Sequence, residues 1–366
     1  MKNFKDISKF FIVGVKDFKF TPELESFLKE FPVAGLALFN SPHDAADNIW
    51  KDPESAGEIF HEFLTKVKSR VQFIAVDQEG GRVRRLRKPF IDLPSAQKIT
   101  QTFTSSAKDL VVLEEFYSLV ANQMTISGVN LNFAPVCDLH IDSTNKAVVG
   151  DRSFGSSETA ALPYIQSFCR AFRSQKVATT LKHFPGHGPT SFDSHEKIAT
   201  YFKTKQEVER DDKPIFLKLQ SEADAIMTIH ASFKEDPEGI LSLDKDFLSK
   251  SKKEFSKNLA WISDDLLSMK AVSERKPWLT AYDCEYDFIL ICDTLEKSVQ
   301  CLEETIRHSE NKVKNFSDEE NLEKRLKRSA GFFNSSTELA KFASWKKQIL
   351  ETSEKAHEIL EKRQIS

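Results

Sequence analysis

Residues 71–81 read VQFIAVDQEGG: after Val71 and Gln72, four apolar residues run without interruption into two acids, a glutamine and a glycine pair. Unbroken apolarity over so short a run marks a strand covered on both faces, and the abrupt polar change marks its end. The same pattern recurs at FFIVGV (10–15), VAGLALF (33–39), VNLNFAPV (129–136), VATTLKHF (177–184), DAIMTIH (224–230), LAWISDD (259–265) and DFILIC (287–292). That makes eight strands, whose starts lie 23, 38, 58, 48, 47, 35 and 28 residues apart, room each time for a helix and its loops. Eight strands alternating with helices predict an α/β fold, a (β/α)8 TIM barrel, with a doubly wound open sheet as the alternative.

The gaps carry apolar residues at helical spacing. TPELESFLKEF (21–31) opens with a Thr cap and Pro at the first helical position, and AGEIFHEFLTKVKSR (56–70) puts Ile59, Phe60, Phe63, Leu64 and Val67 on one face. Helices also fit the gaps that hold residues 109–128, 159–175, 205–223 (with an internal Pro214), 243–258 and 295–309. The reading is one barrel domain over residues 1–310, and C-terminal helices packed on it over 311–366. In the latter, Leu339, Phe342, Ile349, Ala356 and Leu360 form a single stripe.

Composition narrows the function. Among 366 residues, 52 basic and 55 acidic side chains leave a net charge of −3, without the basic excess of a nucleic-acid binder. The N-terminus lacks the long apolar region and small-residue cleavage site of a signal peptide, and no stretch approaches the ~20 apolar residues of a membrane span. Cys137, Cys169, Cys284, Cys292 and Cys301 are odd in number and show no C-x-x-C spacing, so buried reduced thiols and a cytoplasmic location are expected. Only 12 glycines occur, where average usage of ~7% would give roughly 26. Six of them (Gly80, Gly81, Gly150, Gly155, Gly186 and Gly188) lie in three polar loop motifs.

Those motifs follow the strands. VDQEGGRVRRL (76–86) follows the third, CDLHID (137–142) and DRSFG (151–155) the fourth, KHFPGHG (182–188) the fifth, IH (229–230) the sixth and SDD (263–265) the seventh. In a barrel these ends open on one face, where active sites are built. The segment 181–195, LKHFPGHGPTSFDSH, holds Lys182, His183, His187, Asp193 and His195. A zinc site is disfavoured: prolines and glycines break the helix that would align the histidines, Lys182 adds positive charge, and no carboxylate set completes the ligands. Asp193 and His195 instead suggest a dyad in which the carboxylate orients an imidazole that moves protons. Of Asp264 and Asp265, neighbours on a strand end, one can face the mouth as a nucleophile while the other binds backbone.

In this order and spacing, DQEGGRVRRL, NFAPVCDL, GDRSFG, KHFPGHGPTSFDSH and SDDLLSM closely resemble the family 3 glycoside hydrolases. More narrowly, they look like the single-domain β-N-acetylglucosaminidases of bacterial peptidoglycan recycling. The resemblance, from about residue 8 to 310, implies a TIM barrel with no metal and no organic cofactor. It also implies retaining hydrolysis of terminal β-linked N-acetylglucosamine, taken from muropeptide or anhydro-muramic acid fragments. Carried over by motif, Asp264 is the nucleophile, Asp193 and His195 the acid/base dyad, and Asp77, Arg152, Lys182 and His183 the sugar-holding residues. The expected partner is a small amino-sugar glycoside, with no nucleic acid and no membrane, and the chain is expected to be monomeric. The sequence departs from the family at SKNLAW before SDD, in the strand-two loop NSPHDAADNIWKDPES, and at MTIHASF, where Ile229 bears on the acetamido pocket. Phosphorolysis, a family 3 β-glucosidase and a non-catalytic sugar-binding barrel are the competing readings.

Overall fold

The computed structural model describes residues 4–16, 18–39, 52–140, 148–190, 199–267, 276–313, 316–333 and 338–363. The eight expected strands are all present: β1 (Phe11–Val15), β2 (Gly35–Leu38), β3 (Phe73–Val76), β4 (Leu131–Asn132), β5 (Ala178–Phe184), β6 (Ala225–Thr228), β7 (Ala260–Ser263) and β8 (Ile289–Ile291). They form one parallel sheet in the order β7-β6-β5-β4-β3-β2-β1-β8. Its two ends meet: Ile262 bridges Phe288 in parallel, and the Ser263 N–H donates to the Phe288 carbonyl at 3.1 Å. A closed sheet is a barrel, which excludes the open alternative.

Side-chain alternation divides the strands between two cores. Ile12, Ala37, Phe73, Ala75, Met227, Ala260, Ile262 and Phe288 fill the barrel interior. Their neighbours Phe11, Val13, Leu36, Ile74 and Val76 pack outward under the helices. Both faces are therefore dry, which is why the strands read as continuous apolar runs. Ile229 belongs to the outer core and is wholly buried, so its effect on an acetamido group would be indirect.

The helices are α1 (Pro22–Glu30), α2 (Pro53–Val67), α3 (Ala96–Thr102), α4 (Ala107–Ile126), α5 (Glu158–Ser174), α6 (Lys205–Asp211), α7 (Lys213–Leu219), α8 (Lys245–Glu254), α9 (Pro277–Asp283), α10 (Leu295–Lys312), α11 (Phe316–Ala330) and α12 (Phe342–Glu361). Thr21 caps α1 by accepting from the Leu24 N–H at 3.2 Å, as its position before Pro22 suggested. The single helix read over 205–223 is two, α6 and α7, because Pro214 has no N–H to continue the ladder. No described helix is long and apolar enough to cross a membrane.

The turn after α11 closes the end of the barrel opposite the motifs, while α12 packs on the outside against α4 and α2. After α11, Phe333 lies 5.3 Å from Phe73 and 5.5 Å from Phe288, plugging the interior from below. Asn130 Nδ2 donates to the Phe333 carbonyl at 2.8 Å, and the Arg328 guanidinium reaches Asp287 at 2.6 Å. On α12, Trp345 is fully buried and its Nε1 donates to Ser127 Oγ at 3.0 Å. Trp345→Ala is expected to lower unfolding free energy by about 3–5 kcal/mol in urea titration, while KM stays at its wild-type value.

Candidate active site

Every strand delivers its C-terminal end to the same face, and the polar motifs gather there. Asp77 is the first residue past β3, and the chain then turns back in a short hairpin of Gln78–Gly80 against Val83–Arg84. Gln78 holds that hairpin: its Oε1 accepts from the N–H groups of Arg85 and Leu86 at 3.1 and 3.0 Å. Asn132 on β4 clamps the Gln78 backbone at 3.0 and 3.1 Å. At Gly80, φ is +107°, and a Cβ there would stand 2.1 Å from the Pro94 carbonyl oxygen, so only glycine makes this turn.

The hairpin aims Asp77 and Glu79 at Lys182, which lies within β5. Lys182 Nζ is 2.8 Å from Asp77 Oδ1 and 2.6 Å from Glu79 Oε1. Arg152, in the turn Gly150–Arg152, grips Glu79 with both arms, Nε at 2.7 Å and Nη2 at 2.8 Å. Burial opposes ionisation of Glu79, but Arg152 and Lys182 outweigh it and hold its carboxyl far below the usual range. Burial likewise opposes the Lys182 charge, and Asp77 and Glu79 hold its pKa above the ordinary lysine value. Two cations and two carboxylates thus form a fixed, nearly dry set of donors and acceptors suited to sugar hydroxyls.

His183 follows on the same strand. Its Nδ1 lies 2.7 Å from Asp138 Oδ2, and Asp138 Oδ1 accepts the backbone N–H groups of His183 and His187 at 3.0 and 2.7 Å. Burial works against the Asp138 charge; His183 and His187 reverse the balance and bring it down to about 2. Burial pushes His187 down to about 4, so its ring is neutral at pH 7. At Gly188 the backbone runs so close to the segment that follows β4 that a Cβ would meet the Leu139 carbonyl oxygen at 2.0 Å.

The His187 shift has a consequence for stability. A histidine with a depressed folded-state pKa binds more protons when unfolded, so its contribution is complete above the unfolded value and lost as pH falls toward 4. The loss is on the order of 3 kcal/mol and starts near pH 6.5, well before Glu79 and Asp138 protonate. Thermal melts are expected to fall from pH 7 to 5, and more shallowly in His187→Asn than in wild type.

At the end of β7 the two acids separate as their geometry requires. Asp265 is 5% exposed, and its Oδ1 accepts from the Leu267 and Cys292 N–H groups at 3.1 and 2.8 Å. Asp264 is half-buried, and its Oδ1 accepts from the Asp265 N–H at 2.8 Å. The buried Cys292 thiol, whose own N–H reaches Asp265, is pushed well up, by burial first and then by Asp265, Asp77 and Asp264. Arg152 in turn feels Asp138 and Asp77 beside its partner Glu79. Asp77, Glu79, Lys182 and Arg152 thus form one ion-paired group, His183 follows Lys182 on β5, and Asp264 stands at the end of β7 on the same face of the barrel.

Asp193 and His195 fall in residues 191–198, outside the described residues. The chain on either side is held: Thr190 bridges Tyr201, and the Phe202 N–H donates to the Pro189 carbonyl at 2.8 Å. His230, two residues past β6, is wholly buried with its Nδ1 against Ser242 Oγ. Sequence reasoning passed over Glu79 and Asp138. The available signal for Glu79 was alternation, since two residues beyond Asp77 an extended chain presents the same side. Among the described residues no group of three or more His, Cys, Asp or Glu is placed to hold a metal ion.

Residues 6–323 match the glycosyl hydrolase family 3 N-terminal domain. The chain belongs to glycosyl hydrolase family 3. A relative named β-hexosaminidase, from Haemophilus influenzae, is 30% identical over 280 residues, covering 74% of this chain and 76% of that protein. The β-hexosaminidase of Stenotrophomonas maltophilia is 30% identical over 226 residues, and the chain spans 64% of its length. That of Pseudomonas aeruginosa is 40% identical over 167 residues, 48% of its length. Among solved structures, NagZ from Neisseria gonorrhoeae matches with a TM-score of 0.72 at 20% identity, covering 94% of this chain and 97% of that one. A family 3 member from Mycobacterium smegmatis gives 0.70 at 26% identity, covering 91% and 97%.

Proposed function

We propose that this family 3 domain is a retaining exo-β-N-acetylglucosaminidase. It removes terminal β-linked N-acetylglucosamine, and the substrates in view are muropeptide fragments carrying anhydro-muramic acid. The observation that carries the reading is the division of labour at the end of β7. Asp265 gives its carboxylate to backbone N–H groups while Asp264, half-buried, accepts from the Asp265 N–H at the strand end that opens on the same face as the Lys182–Asp77–Glu79–Arg152 set. The relatives named β-hexosaminidase support the choice of amino sugar.

The chemistry is a double displacement. An Asp264 oxygen attacks the anomeric carbon as the bond to the leaving oxygen breaks, and His195, oriented by Asp193, gives that oxygen its proton. Water then attacks the glycosyl-enzyme, His195 takes its proton, and Asp264 leaves as carboxylate. Asp77, Arg152, Lys182 and His183 hold the sugar. Two inversions return the β configuration.

The test is hydrolysis of a chromogenic β-N-acetylglucosaminide by the purified chain, with and without phosphate, beside the matching β-glucoside. Free N-acetylglucosamine formed at a rate independent of phosphate is expected. A sugar 1-phosphate product would make the enzyme a phosphorylase. Preference for the glucoside would make it a β-glucosidase, and no turnover of either would leave a sugar-binding barrel.

A further inference from the structure

The described residues carry a buried hydrogen-bonded chain that joins the sugar-holding strand to the base of segment 191–198, and sugar binding alone does not require it. It begins at Asp138, 1% exposed, whose carboxylate takes the His183 ring on one oxygen and the backbone of His183 and His187 on the other. It continues from His187 Nδ1 to Thr190 Oγ1 at 2.5 Å, while Thr190 Oγ1 donates to the His187 carbonyl at 2.9 Å. One arrangement satisfies both contacts: the hydroxyl gives its single proton to that carbonyl and accepts from the ring Nδ1. Thr190 is fully buried and bridges Tyr201, which lies beyond the segment; the Tyr201 hydroxyl donates back to the Gly186 carbonyl at 2.8 Å and its ring stacks on Phe233 at 4.8 Å. His195 stands five residues after Thr190 and four before Ala199.

We propose that Asp138, His187 and Thr190 are positioning residues that fix the departure and return of the chain carrying the acid/base histidine, relative to the strand that grips the sugar. This rests on the reading of His195 as the proton donor. The physical argument is that one carboxylate anchors both ends of the problem. Asp138 sets the ring of His183 against the sugar, and through His187 it sets the hydroxyl that closes the stem. Proton donation to a leaving oxygen depends steeply on the donor's placement, so a loosened stem costs most where protonation is needed most.

Thr190→Val keeps the shape of the side chain and removes the hydroxyl. It is tested on two substrates: the β-linked N-acetylglucosamine disaccharide, whose leaving alcohol needs a proton, and the nitrophenyl glycoside, whose leaving phenol needs little. The expected result is a kcat/KM loss, which reports the glycosylation step alone, of about 10–100-fold on the disaccharide against less than about 3-fold on the aryl glycoside, with Thr190→Ser restoring the disaccharide value. Thr190→Ala, with no methyl pressed on the imidazole, carries the same expectation if the valine variant does not fold. Equal losses on both substrates, no loss on either, or failure of serine to restore the rate would overturn the proposal. His195→Ala run alongside separates the two levels. If it is steep in leaving group and the Thr190 variants are flat, the positioning role fails alone. If His195→Ala is itself flat, the acid assignment fails and the positioning role with it.

Discussion

Asp264→Ala is expected to lower kcat on a β-N-acetylglucosaminide by about 10³–10⁵-fold, with near-ultraviolet circular dichroism unchanged. Removing a nucleophile deletes the covalent path, and the residual rate comes from sugar binding and protonation alone; the loss corresponds to roughly 4–7 kcal/mol of barrier. The fold should survive, because Asp264 is half-buried at the end of β7 rather than part of the core, and the N–H it accepts is that of its own neighbour Asp265. Azide, small enough for the vacated space, should restore turnover and give the α-configured glycosyl azide, the product of a single inversion. Retention of more than a few per cent of activity would move the nucleophile elsewhere, first to Asp265. That residue is expected to behave differently. Asp265→Asn weakens the acceptor for the Leu267 and Cys292 N–H groups, so it should lower melting temperature before it lowers turnover.

The strands were legible because each is covered on both faces, which leaves an apolar run with polar residues at its mouth. Where that logic weakens, so does the reading. β4 was expected over 129–136; its regular pairing is confined to Leu131–Asn132, with an isolated bridge from Val136 to Lys182 beyond, because Pro135 has no N–H for a ladder and the Asn132 side chain turns to the β3 hairpin. The break between α6 and α7 was foreshadowed by Pro214 but not placed. Plugging of the barrel by Phe332–Phe333 could not be read, since two aromatics after a charged helix look the same whether they seal a barrel or a surface groove. Asp77 and Lys182 stood out as charges at strand ends, and the structure pairs them. Glu79 did not, because its importance lies in partners 73 residues away at Arg152 and, on another strand, at Lys182. Asp138 was hidden in the same way, its contacts with His183 spanning 45 residues.

Glu79→Gln is expected to lower kcat/KM by about 10²–10³-fold and to destabilise the fold by about 3–5 kcal/mol, because it leaves two buried cations facing a neutral amide. The carboxylate is bidentate to Arg152 and also meets Lys182, so one oxygen, Oε1, serves both cations. Glutamine keeps the shape but offers a single acceptor oxygen, and its amide nitrogen turns a donor toward one of them. Lys182 would retain Asp77, yet burial would then outweigh more of its partner charge, and its pKa should fall. Lys182→Met alone should cost as much, by stranding Glu79 against Arg152 and freeing Asp77 from its place. The decisive measurement is the double mutant. If the four groups act as one unit, Glu79→Gln combined with Lys182→Met costs less than the two singles added, by more than about 1 kcal/mol in kcat/KM. Additive losses would instead mean that Glu79 serves Arg152 and Lys182 serves the sugar independently. Because the pair is almost wholly buried, with side chains 4% and 3% exposed, neither result should shift between low and moderate salt.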